Sequence, residues 1–208
     1  MKEKYLAFIR GRRFLGVLLA AAFAFVTGFA LMRNPLLEEN TASLLGLRYP
    51  KMFFLWQLLV GLAYMYGTLA LYHAFDCPQP LRGVGKALAW LGVPCQAVIY
   101  FVHGEIAGGT VTYPGATKPI HWTATILLMA GILLSVGIAF FHARKQVRRF
   151  GVLLAALSAV LAGMLLVFFT IGKSGLFEAV PLWVLFILLF LANCTKPFAP
   201  PELQSQGF

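Results

Sequence analysis

The sequence is poor in charge, and its charged residues are absent from six long apolar stretches. Charged residues make up 12% of the 208 positions and hydrophobic residues 60%, whereas about a quarter of the residues in soluble domains are charged. A charged side chain at the centre of a bilayer costs about 3 kcal/mol on insertion scales. The absence of charge from these stretches excludes a water-soluble core. It predicts an all-α, polytopic membrane protein with six transmembrane helices.

Most of the predicted spans approach the ~20 residues that a helix needs to cross ~30 Å of hydrocarbon. They cover approximately residues 14–32, 52–72, 87–102, 122–141, 150–170 and 179–194. Together they predict one domain over residues 1–198, followed by a polar tail over residues 199–208. The third span is short, and Pro94 predicts that it either kinks or continues through Ile106.

Cysteine and intramembrane polarity are also scarce. Cys77, Cys95 and Cys194 are widely separated and form no Cys-x-x-Cys pair, which argues against a disulfide framework and a cysteine metal site. The lack of charge inside the spans argues against a pump or a proton relay. Gln57 and Gln96 are among the few polar residues in the spans, and we expect them to bond across neighbouring helices.

The 17 Lys and Arg residues are divided unevenly between the two sides of the predicted bundle. Twelve fall on the side of the two termini and five on the other side, so the positive-inside rule predicts cytoplasmic termini. We expect the protein in the cytoplasmic (inner, plasma) membrane. The first apolar stretch exceeds the usual 7 to 15 residues of a signal peptide and predicts a retained anchor. The net charge of +10 is explained by anionic lipid, and we expect no nucleic-acid partner.

Small residues recur every four positions on one face of the first span and of the fifth. These residues are Ala20, Ala24 and Gly28 in the first, and Ala155, Ala159 and Gly163 in the fifth. Small residues let helices approach closely in lipid, so both faces are predicted to be helix contacts.

Ionisable and polar residues collect at the outer ends of the predicted helices. The candidate ligand-binding residues there are Glu38, Asn40, His103, Glu105, His121, Lys173 and Glu178. If these ends converge, they form an outward-facing polar vestibule. Lys173 would hold an anionic group in it, and Glu105 or Glu178 would hold an amine. We therefore hypothesise that the protein binds a lipid headgroup or a small amphiphile, with membrane lipids as its partners.

Two alternatives remain open at this point. His103, Glu105 and His121 are candidates for catalysis in a lipid-modifying enzyme, with the histidines as ligands of a divalent metal or as general bases. The other alternative is a substrate-binding subunit of a transporter, since six helices in a chain of this length also suit that class.

The loop after the third span is rich in glycine. It covers residues 104–115 and lacks the ending of a P-loop. The sequence predicts a flexible or re-entrant loop there.

Three short motifs precede the second, fourth and sixth spans. The first covers residues 40–46 with Tyr49 and Pro50, the second covers residues 113–115 with His121, and the third covers residues 172–178 before Trp183. In this order they resemble a bacterial and archaeal family of six-helix membrane proteins, domain of unknown function 998. That family is grouped with eukaryotic six-helix proteins of the DRAM and Frag type. The resemblance implies a membrane protein that handles lipids, and the chain departs from it at Ala179, where an arginine is expected.

Overall fold

The six predicted spans are present as helices. The computed structural model describes residues 2–36, 41–107, 110–170 and 174–201, and within these the side chains of all residues except 2–11, 106–111 and 168. The elements in chain order are α1 (Lys2–Ala30), α2 (Ala42–Arg48), α3 (Pro50–Ala74), α4 (Gln79–Phe101), β1 (Glu105–Ala107), β2 (Thr110–Thr112), α5 (Thr117–Ala143), α6 (Phe150–Thr170) and α7 (Gly175–Cys194). Among the described residues, all of these helices except α2 are long and apolar enough to cross a membrane. The protein is an integral, multi-pass membrane protein, and its helical fold class is confirmed.

Helix α4 is longer than its apolar stretch. It contains 23 residues, which span about 35 Å at 1.5 Å per residue, because Arg82 and Lys86 occupy its first two turns. The helix continues through Pro94. It ends at Phe101 and a strand follows, so the predicted alternative of a span continuing through Ile106 is wrong.

The spans alternate in direction, and α1 therefore begins at the same face of the bundle at which α7 ends. The Sγ atom of Cys194 lies 3.8 Å from the carbonyl oxygen of Arg12 and joins these two ends. We call this face the terminal face; the distribution of Lys and Arg predicts that it is cytoplasmic. The opposite face carries α2 and the β1–β2 hairpin, and we call it the loop face.

The helices pack as two pairs, α1 with α7 and α4 with α5, and α3 and α6 each contact both pairs. Helix α1 packs against α3 and α7, α4 packs along α5, and α6 lies against α5 and α7. The buried face of α1 consists of Leu15, Leu19, Ala22 and Val26, whose spacing of three and four residues follows the helical period. Leucine and valine side chains together with Ala22 therefore make this contact.

The predicted small-residue faces are wrong as helix contacts. The three small residues of α1 and the three of α6 are all exposed on the surface of the bundle. A Cβ atom added at Gly28 or Gly163 would meet nothing within 4 Å. Both small-residue faces therefore lie on the outer surface of the bundle.

Close helix approach occurs instead at glycines of α4 and α5. A Cβ atom at Gly131 would lie 2.9 Å from the carbonyl oxygen of Leu88, so the α4–α5 contact requires the absence of a side chain there. Tyr72 of α3 donates a hydrogen bond of 2.6 Å to the carbonyl oxygen of Ser135. The Ser135 hydroxyl donates to the carbonyl oxygen of Gly85 at 2.8 Å. These bonds join α3, α4 and α5 at one point inside the bundle.

The expected interhelical bond is confirmed for the Gln96 side chain. The Nε2 atom of Gln96 in α4 donates to the backbone oxygen of Gln57 in α3 over 3.2 Å. Such interhelical bonds contribute about 0.6 kcal/mol in membrane proteins. This bond serves the packing of α3 against α4.

Candidate functional site

His121 lies in the second turn of α5 and is almost completely buried at the loop face. Its side chain is 4% exposed, and its Nδ1 atom lies 2.8 Å from the carbonyl oxygen of Val102, just after α4. A carbonyl oxygen only accepts, so in this bond Nδ1 carries the hydrogen. The ring of Tyr113 lies 6.5 Å from the imidazole, centroid to centroid. His121 thus joins the start of α5 to the end of α4.

His103 and Glu105 lie beside this junction and are exposed. The Nδ1 atom of His103 is 2.9 Å from the carbonyl oxygen of Gly104. Glu105 pairs with Thr112 in the antiparallel hairpin, whose two strands replace the predicted flexible or re-entrant loop. The two side chains therefore present an imidazole and a carboxylate at the loop face.

Glu178 occupies the first turn of α7 and contacts α2. Ser174 caps α7, because its hydroxyl accepts a hydrogen bond of 3.3 Å from the backbone of Phe177. The carboxylate of Glu178 accepts a hydrogen bond of 2.6 Å from the backbone N–H of Ala42, the first residue of α2. The adjoining cavity measures about 10 Å³, which is at the lower limit for one water molecule. Glu178 therefore holds α2 against the bundle.

The described hydrogen bonds of these candidate side chains run to backbone groups. His103, His121 and Glu178 each bond a backbone atom, as given above. Within the part of the chain that the structure describes, no group of three His, Cys, Asp or Glu residues is placed to hold a metal ion. The other candidates, Glu38, Asn40 and Lys173, lie outside the described residues.

An apolar groove lies between α4 and α5 near the same junction. Its volume is about 420 Å³, within the range of pockets that bind small molecules. Pro94 and Val98 of α4 and Ile120 and Thr123 of α5 are among its lining residues. Val98 lies one helical turn before Val102, the residue whose carbonyl holds His121. The groove therefore begins one helical turn from the polar junction. It runs along the lipid-facing surface of the bundle toward the midpoints of α4 and α5.

Polar residues near the terminal face line a second groove. Arg12 and Asn193 border it together with residues of α3. Sequence patterns alone predict neither as a site residue, although an asparagine inside an apolar span is a usable signal. The arginine gives no comparable signal, because Lys and Arg commonly flank transmembrane helices.

Comparisons with protein-family models, with curated proteins and with solved structures gave no match. The resemblance of the three motifs to domain of unknown function 998 therefore stays a prediction.

Proposed function

We propose that this membrane protein binds a lipid or small amphiphile at its loop face, with the hydrocarbon chain of the ligand in the α4–α5 groove. The observation that carries the proposal is the position of this groove beside the junction of His121 with Val102. An apolar groove with polar groups one helical turn beyond its end suits a ligand that has an apolar part and a polar part. A membrane lipid has such an apolar and a polar part, and it can enter the groove laterally from the bilayer.

The polar residues at the junction have different roles in this proposal. Glu105 and His103 are exposed and bind the headgroup, with the carboxylate accepting hydrogen bonds from an amine or hydroxyl. His121 is buried and holds the end of α4 beside the start of α5. It is therefore a positioning residue, which fixes the polar end of the groove.

Filling the groove tests the proposal. Thr123 is exposed and lines the groove, so Thr123→Phe should place an aromatic ring where the hydrocarbon chain of the ligand would lie. Ala130 is also exposed and lies two turns further along the same face of α5, outside the groove lining. Ala130→Phe is therefore the matched control.

The measurement is the amount and composition of lipid that purifies with each variant, determined by mass spectrometry. We expect Thr123→Phe to lower the bound amphiphile about tenfold, equivalent to 1.4 kcal/mol, and Ala130→Phe to leave it unchanged. We also expect Glu105→Gln to change the bound headgroups, whereas Lys118→Gln, at another exposed loop-face residue, does not. Equal lipid content in Thr123→Phe and Ala130→Phe would contradict the proposal.

A further inference from the structure

We propose a second lipid site at the terminal face, which binds a phospholipid with an anionic headgroup. The site is the groove between α1, α3 and α7, with a volume of about 360 Å³; we call it the terminal groove. It shares no lining residue with the α4–α5 groove and lies at the opposite face. The proposal is therefore independent of the function proposed above.

The terminal groove has an apolar floor and an exposed rim. Leu15, Leu71 and Ala192 are buried at its base. Phe14 and Tyr66 are 59% and 55% exposed at its edge, and their rings pack edge to face with centroids 6.0 Å apart. This exposure opens the groove toward lipid, so a bilayer lipid has direct access to it.

Three polar side chains line the groove. Arg12 is partly buried, and His73 is exposed in the last turn of α3. Asn193 is held in place, because its Nδ2 atom donates to the carbonyl oxygens of Gly67 at 3.1 Å and Leu189 at 2.9 Å. The guanidinium and the imidazole thus supply the donors of the groove, since Asn193 already uses its N–H groups and its oxygen only accepts.

The dimensions suit a lipid that lies along α3. Tyr66 and His73 both line the groove and are seven residues apart, which is about 10 Å along a helix. Arg12 and Asn193 lie near the Tyr66 end of this length, because Phe14 packs on Tyr66 and Asn193 bonds Gly67. Part of an acyl chain fits this length, with the headgroup phosphate beside Arg12.

The charge of Arg12 selects the class of headgroup. A guanidinium pairs with a phosphate through two parallel hydrogen bonds. The terminal face is also the one that the distribution of Lys and Arg predicts to be cytoplasmic, where anionic lipids gather. An anionic phospholipid such as phosphatidylglycerol therefore fits the groove, with its phosphate on the guanidinium and its acyl chain on the apolar floor.

Two adjacent arginines allow a matched test. Arg12 lines the groove, whereas Arg13 is exposed and lies outside the groove lining, so Arg12→Gln and Arg13→Gln remove the same charge at nearly the same depth. Each full-length variant is reconstituted with equal amounts of phosphatidylglycerol and phosphatidylcholine, and the bound lipids are counted by native mass spectrometry. We expect Arg12→Gln to lower the preference for phosphatidylglycerol about tenfold, the effect of losing one hydrogen bond to a charged group. Arg13→Gln should keep the preference.

A groove-filling pair keeps the test decisive if Arg12→Gln does not fold. Ala70 lines the terminal groove, and Ala70→Phe should remove the bound phosphatidylglycerol. Ala155 is exposed on α6, away from the groove, so Ala155→Phe should retain it.

Three results would overturn the proposal. Equal losses in Arg12→Gln and Arg13→Gln would assign the preference to diffuse charge at the membrane surface. Unchanged lipid binding in Ala70→Phe would remove the groove as the site. Displacement of phosphatidylglycerol by inorganic phosphate at the same concentration would assign binding to the phosphate alone, without the chain.

Discussion

The contact between Glu178 and α2 gives the sharpest single-residue prediction for the loop face. Helix α2 has seven residues, too few to be stable as an isolated helix, and its first N–H donates to the Glu178 carboxylate at 2.6 Å. A hydrogen bond to a charged group contributes about 1.5–3 kcal/mol. Glu178→Ala should therefore release the start of α2, whereas Glu178→Gln, which keeps an oxygen acceptor, should have a smaller effect.

Hydrogen exchange of the Ala42 amide measures this effect directly. A loss of 1.5–3 kcal/mol accelerates exchange roughly tenfold to a hundredfold, and a peptide that covers α2 reports it in detergent or in nanodiscs. Peptides from the first half of α6, at the terminal face, serve as the internal control. Unchanged exchange of Ala42 in Glu178→Ala would refute the structural role and return Glu178 to the candidate ligand-binding residues.

Two further predictions concern the interior of the bundle and its terminal face. A Cβ atom at Gly85 would overlap the ring of Tyr72, whereas one at Gly83 meets nothing within 4 Å; Gly85→Ala should therefore be less stable than Gly83→Ala by about 1–3 kcal/mol. The free energy of unfolding in mixed micelles measures this difference. If the overlap with Tyr72 is the cause, the losses of Gly85→Ala and Tyr72→Leu should not add in the double variant, and additive losses would contradict the prediction. Burial raises the pKa of the Cys77 thiol, so less thiolate is present at pH 8 and N-ethylmaleimide should react more slowly than in the SDS-unfolded chain. Equal rates in the two states would show that the thiol is accessible.

Much of the loop-face site was predictable as a location but not as a set of contacts. The expulsion of charge from the spans places His103, Glu105, His121 and Glu178 at the helix ends, and the structure has them there. His103 bonds its neighbour Gly104, but His121 bonds a residue 19 positions away and Glu178 one 136 positions away. The partners depend on which helix ends meet, and that depends on packing between distant segments.

The two arginines at the start of α1 show the same limit at the terminal face. Arg12 and Arg13 have identical chemistry and adjacent positions, so both are predicted to flank the first span in the same way. Only the rotation of α1 against α3 and α7 places Arg12 on the groove and leaves Arg13 exposed. A rotation of 100° per residue separates the two roles.

The sequence by itself determined the solvent of this protein, the number of its spans and their approximate bounds. It did so because a bilayer penalises each charge inside a span, and that penalty acts on one segment at a time. The tertiary structure alone decided which faces of the helices meet, and it turned the small-residue stripes of α1 and α6 outward. In lipid, the buried and the exposed faces of a helix are both apolar, so hydrophobic periodicity does not distinguish them.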